Sequence, residues 1–132
     1  MNTDEHRWEV MNTDVNTITQ RIIGCAYRVH NALGCGFLEK VYENALVHEM
    51  KKNGLCVQQQ VPIHVLYDGV TVGNYVADVI AERCVLLELK HVDKLDSIIQ
   101  AQCLNYLRAT RLHICLLLNF AKPELEIKRY AR

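Results

Sequence analysis

The sequence lacks a run of the roughly 18 apolar residues that a membrane-spanning helix requires. Even the apolar stretch around Leu116 to Leu118 is bounded by His113 and Asn119, so a spanning segment is excluded and a soluble protein with no membrane partner is expected. The N-terminal residues 1–9 are polar and charged where a secretory signal would be apolar, so nothing directs the chain out of the cytoplasm. There is no C-x-x-C pair among the six cysteines and no H-x-x-x-H or H-E-x-x-H spacing among the six histidines. Zinc and disulfide frameworks are therefore not expected, and the thiols read as small hydrophobes. His91, beside Lys90, is the one histidine of interest. Net charge is also missing, with 15 basic against 15 acidic residues, so the global basic signature of a nucleic-acid binder is absent. The charges are nonetheless divided: residues 1–82 hold 6 lysines and arginines against 10 carboxylates, and residues 83–132 hold 9 against 5.

What is present is one domain's worth of chain, 132 residues of which 50% are hydrophobic, long enough to close a core. Residues 1–13 have little periodicity and are expected as a flexible tail before a single domain over 14–132. Thr17-Ile18-Thr19-Gln20 matches a capping box, and Ile18, Ile22, Cys25, Ala26, Val29 and Leu33 recur at helical spacing up to Gly34 and Gly36. A second helix is expected over 38–52, with Val41, Tyr42, Ala45, Leu46 and Met50 on one side and Asn53-Gly54 as its stop. Val57, Val61, Ile63, Val65 and Tyr67 alternate with mostly polar partners up to an Asp68-Gly69 turn. Two further strands are expected over 74–81 and 85–91. Asp96 then caps a third helix through about Thr110, an apolar strand over 112–118 reads as covered on both faces, and a last edge strand follows Pro123. The order is ααβββαββ, with no repeat and no linker.

Charge placed where the pattern expects apolar packing carries the chemistry, because an ionised group in a half-buried strand is costly unless a partner or metal compensates it. Asp78 interrupts one strand, and Glu88 and Lys90 interrupt the next. Residues two apart on a strand share a face, so Glu88 and Lys90 point the same way. With Glu82, Arg83 and Cys84 as a three-residue connection, Asp78 opposes Glu88; a two-residue connection would separate them. Opposed side chains have Cβ atoms roughly 5 Å apart, where two carboxylates repel each other but one hard cation binds both. Such a pair with a lysine suits metal-assisted phosphodiester hydrolysis, and all-oxygen donors favour Mg2+ or Mn2+. Glu39, near the edge of the second helix's packing face, also has an ordinary reading as an N-terminal helix acid. Gln102 and Tyr106 share a face of the third helix, and alone they read as a core-edge tyrosine with a neighbouring amide.

The segment Gly36-Phe37-Leu38-Glu39-Lys40-Val41-Tyr42 resembles the signature of the GxxExxY proteins, a prokaryotic family grouped with the PD-(D/E)XK nuclease superfamily, and the resemblance runs from about Thr17 to Tyr130. It implies a restriction-endonuclease-like core of the α/β (α+β) class, a mixed central sheet flanked by helices. It further implies a nuclease-type site with Glu39 as the first-helix acid, Asp78 as the strand aspartate, Glu88-Leu89-Lys90 as the E-x-K element and Gln102 with Tyr106 as a Q-x-x-x-Y pair. Ala77 stands where the superfamily's name has proline. The expected function is a Mg2+- or Mn2+-dependent nuclease with Asp78, Glu88, Lys90 and Glu39 catalytic and Asp78, Glu88 and Glu39 binding metal. Two alternatives stand beside it: a catalytically silent binding or assembly protein on the same fold, and a hydrolase or binder of nucleotides or small phosphate compounds. No separate nucleic-acid-binding domain is evident, so grip on a nucleic acid must come from the core, a homodimer or a partner.

Overall fold

The computed structural model describes the backbone of residues 3–132 and the side chains from Val15 onward. Three helices and five strands follow one another as α1 (Thr3–Leu33), α2 (Glu39–Lys52), β1 (Val57–Tyr67), β2 (Val70–Ala81), β3 (Val85–Lys90), α3 (Ser97–Thr110), β4 (Ile114–Asn119) and β5 (Glu126–Ala131). The strands form one sheet in chain order. β3 and β4 are parallel, joined across α3, and every other neighbouring pair is antiparallel. The mixed sheet between helical layers is the restriction-endonuclease-like architecture expected, in the expected order of elements.

Side-chain alternation separates two cores. Val85, Leu87 and Leu89 of β3 join Leu116 and Leu118 of β4 under α1 and α2. Leu86, Cys115 and Leu117 pack on the opposite face against Cys103, Tyr106 and Leu107 of α3. β4 is buried along its whole length, as its unbroken apolar run requires of a strand covered on both faces. Asp96 caps α3 by accepting from the Ile99 N–H at 2.9 Å.

Two boundaries and one helix face differ from the sequence expectation. α1 passes through Thr17 instead of starting there; Thr19 Oγ1 donates to the Val15 carbonyl at 2.7 Å, a bond that requires residue 15 to be helical already, so the apparent capping box lies inside the helix. The tail expected for residues 1–13 falls outside the residues whose side chains are described. β2 begins at Val70 and not at 74, because Asp68 and Gly69 both take positive φ, 52° and 75°, a two-residue turn whose twist matches that of the strands it joins. In α2 the buried stripe is Tyr42, Glu43, Leu46, Val47 and Met50. Val41 is exposed instead, so the helix is rotated to bring a carboxylate, Glu43, inward.

Candidate active site

The β2–β3 connection is the three-residue one, Glu82-Arg83-Cys84, with Ala81 paired to Val85 and Val79 to Leu87. That register places Asp78 opposite Glu88. The regular ladder stops at Val79 and Leu87, and side chains take over at the next rung. The Leu89 N–H donates to Asp78 Oδ2 at 2.9 Å, and the Asp78 N–H donates to Glu88 Oε1 at 3.4 Å. Because Leu87 and Leu89 face α1 and α2, Glu88 and Lys90 face the α3 layer.

The pleat itself changes at this level. Val79 packs in the α1/α2 core but Ala77, two residues earlier on the strand, packs in the α3 core. On β1, Val57 and Val61 divide in the same way. Gln60 lies between them with φ 55° and is unpaired in a register that goes from Gln59↔Val79 to Val61↔Ala77. A non-glycine residue held in the left-handed region costs about 1–3 kcal/mol and tends to occur where a site demands it. Here the break opens the sheet around Asp78.

Glu88 is 4% exposed. Burial and the adjacent negative charge of Asp78 push its carboxyl up to about 9, so it holds a proton at neutral pH. Burial likewise raises Asp78, although the Leu89 N–H and the charge of Lys90 oppose the rise. Lys90 forms no salt bridge among the described residues, so it is not tied to Glu88 as an ion pair. On the α3 wall, Gln102 Nε2 donates to the Tyr106 oxygen at 3.0 Å. Burial and the charge of Glu88 raise the Tyr106 phenol, which keeps it protonated and able to donate.

Glu39 is exposed at the start of α2, where its Oε1 accepts from the His91 N–H at 3.2 Å. Tyr42, fully buried, donates its hydroxyl to the Gly34 carbonyl and accepts from the Phe37 N–H at 3.1 Å. Its ring stacks on Phe120 at 4.6 Å and lies 6.3 Å from the His91 ring. The Gly36–Tyr42 segment therefore clamps the end of β3 directly after Lys90. Glu39 does not converge with Asp78 and Glu88: among the described residues no three His, Cys, Asp or Glu side chains gather as a metal-binding group.

The acid that α2 does turn toward the site is Glu43, 4% exposed. It accepts from Lys40 Nζ at 2.8 Å, from Gln60 Nε2 at 2.9 Å and from Gln59 Nε2. Burial works against its charge, but these donors outweigh it and hold Glu43 below the usual carboxylate range. Its negative charge contributes to the rise at Asp78. Sequence reasoning missed Glu43, Gln59 and Gln60 as site residues. The signal was the spacing of Glu43 from Leu46, Val47 and Met50, which puts a carboxylate on the buried stripe.

A family model described as the PD-(D/E)XK nuclease superfamily matches residues 16–130. The chain belongs to the PD-(D/E)XK nuclease superfamily. No curated protein and no solved structure matches it. Nucleases of this superfamily generally use divalent metals, and the residues present fit such an ion in one specific way. Asp78 and Glu88 offer hard carboxylate oxygens side by side, at a charge cost so high that one of them is protonated. Mg2+ is commonly held by one or two carboxylates together with water and substrate phosphate oxygens, so a pair is a sufficient protein donor set. No helix among the described residues is long and apolar enough to cross a membrane.

Proposed function

We propose that the chain is a Mg2+- or Mn2+-dependent nuclease, a cytoplasmic enzyme of the prokaryotic GxxExxY branch that hydrolyses phosphodiester bonds in DNA or RNA. The observation that carries this reading is the Asp78–Glu88 pair, set at a break in the sheet with Lys90 on the Glu88 face and free of any ion pair among the described residues. Asp78 and Glu88 are the metal ligands, and a divalent cation held there supplies Lewis-acid activation of the phosphodiester and of the attacking water. Glu88 gives up its proton when the site is loaded. Lys90 orients the attacking water or stabilises charge developing on the phosphate. Tyr106, its oxygen already occupied by the Gln102 amide, is left with its O–H to donate to a phosphate oxygen. Glu39 acts through the backbone of His91, and through water toward the metal, by fixing where β3 ends and hence where Lys90 projects.

A second reading, a binding or assembly protein with a silent site, is favoured by the convergence of only two acids where a third was expected. Calorimetric titration with Mg2+ and Mn2+, followed by cleavage assays on single-stranded, duplex and structured nucleic acids, separates the two. Metal binding with metal-dependent cleavage supports the nuclease. Metal-independent binding of nucleic acid without cleavage supports the silent site.

A further inference from the structure

A groove of about 810 Å³ runs between α3 and the outer half of the β1–β2 hairpin. At its inner end it is lined by Gln102 and Tyr106, the pair that stands on the α3 wall of the candidate active site. It is lined as well by Arg108 and Arg111, from α3 and its C-cap, and by His64 and Tyr75 from the hairpin. In a chain with equal numbers of acidic and basic residues, no Asp or Glu lines this groove. Arg108 and Arg111 are exposed and form no salt bridge among the described residues. Tyr75 is 50% exposed, and its ring lies 5.6 Å from that of Tyr106 at a tilted angle, so an aromatic surface remains open beside the path to the carboxylates.

Arg111 carries a second signal. It is the C-cap of α3 at φ 62°, the left-handed position that glycine fills at least cost. An arginine there strains the backbone and sets a cationic side chain among those that line the groove.

We infer that this groove binds a single strand of nucleic acid, its phosphates on Arg108 and Arg111 and a base stacked on Tyr75, and leads the strand to the carboxylate pair. Cationic side chains that follow a backbone, interleaved with aromatic rings on which bases stack, are the general means of holding single strands without reading their sequence. The groove's cations suit a polyanion, its aliphatic and aromatic walls suit base faces, and its Tyr106 also faces Glu88 and Asp78 of the candidate site. The inference deepens the nuclease reading and rests on it for the destination of the strand, though not for the binding itself.

The test is fluorescence anisotropy of labelled oligothymidylate and oligouridylate in EDTA, where no cleavage occurs, with a duplex of the same length as comparison. Single strands should bind more tightly than duplex, and the two oligonucleotides distinguish DNA from RNA. Tyr75→Ala should weaken binding roughly tenfold. Arg108→Ala and Arg111→Gly should each weaken it and lower the slope of log affinity against log salt by about 1. Arg111→Gly relieves the left-handed strain, so its melting temperature should match or exceed that of the parent, which separates lost contact from lost fold. Absence of single-strand binding, preference for duplex, or affinity indifferent to all three substitutions would overturn the inference. Binding that behaves as expected while Mg2+ and Mn2+ give no cleavage would leave the groove standing and sink the nuclease reading.

Discussion

Asp78 and Glu88 meet across the end of the β2–β3 pair: the Asp78 N–H donates to Glu88 Oε1 at 3.4 Å, and the negative charge of Asp78 adds to burial in pushing the Glu88 carboxyl up. Two acids in such contact within a buried rung hold one proton between them, because like charges at that separation cannot both ionise cheaply. The proton stands where a cation would stand. On the proposed reading metal and proton compete for the same oxygens, and that competition has a measurable pH dependence.

Loading the site at neutral pH must expel the proton from Glu88, whose pKa is about 9. Affinity for Mg2+ or Mn2+ should tighten by about tenfold per pH unit from neutrality until pH approaches 9. Calorimetry at pH 7 in buffers of different ionisation enthalpy should show about one proton released per metal bound. Metal binding with no buffer dependence would mean that Glu88 is not a ligand.

The same group sets how metal-free stability responds to pH. Its folded pKa, about 9, lies above the ordinary value of 4.5, so between those values the folded state holds a proton that the unfolded chain has lost. Stability is then full below about 4.5, falls as pH rises through the window, and levels off above about 9. Glu88→Gln mimics the protonated acid. It should match the parent at pH 5, exceed it at pH 8 by on the order of 3 kcal/mol in urea denaturation, and bind metal poorly. Identical pH profiles for the two proteins would show that Glu88 is ionised in the fold.

Much of this arrangement was legible in the sequence, and the parts that were not have identifiable causes. Strand order, the three-residue connection and the opposition of Asp78 to Glu88 follow from alternation and loop length, which act locally. The clamp made by Tyr42 and Glu39 on the end of β3 joins residues 52 positions apart, and no periodicity reports that. Glu43 was hidden because rotating α2 by a fraction of a turn exchanges it with Val41 on the buried stripe, and composition alone does not set the rotation. The left-handed Gln60, which breaks the pleat opposite Asp78, carries no local signal of the kind that a glycine would.

Glu43 should matter more to the fold than Glu39, although Glu39 is the acid of the sequence motif. Glu43 takes hydrogen bonds from Lys40, Gln59 and Gln60 while almost wholly buried. Its replacement by alanine removes the buried charged acceptor that Lys40, Gln59 and Gln60 share, at a cost of about 1.5–3 kcal/mol. Glu39→Ala removes one bond from an exposed acid to a backbone N–H, at about 1 kcal/mol or less. Chemical denaturation of the two variants checks the order. Equal losses would mean that the polar cluster around Glu43 contributes nothing to holding β1 against α2.

Lys90 separates a catalytic cleft from a structural one. In a buried ion pair, removing one partner strands the other charge at a cost of about 3–5 kcal/mol. Lys90 forms no such pair among the described residues, and the acid two residues before it, Glu88, is protonated at neutral pH. Lys90→Ala should therefore melt with the parent, within about 0.5 kcal/mol. Lys90 also lowers the pKa of Asp78, so its loss removes a positive charge from beside the proposed metal ligands and leaves a cation's electrostatic attraction to them at least as strong. What should fall is turnover, by about 100-fold or more, because the ammonium is needed where charge develops in the transition state. The melting curve, the metal titration and the cleavage assay belong on one preparation. Unchanged melting and metal binding with lost cleavage assign Lys90 to the chemistry, whereas a variant that melts early and cleaves as well as the parent would return it to a structural role.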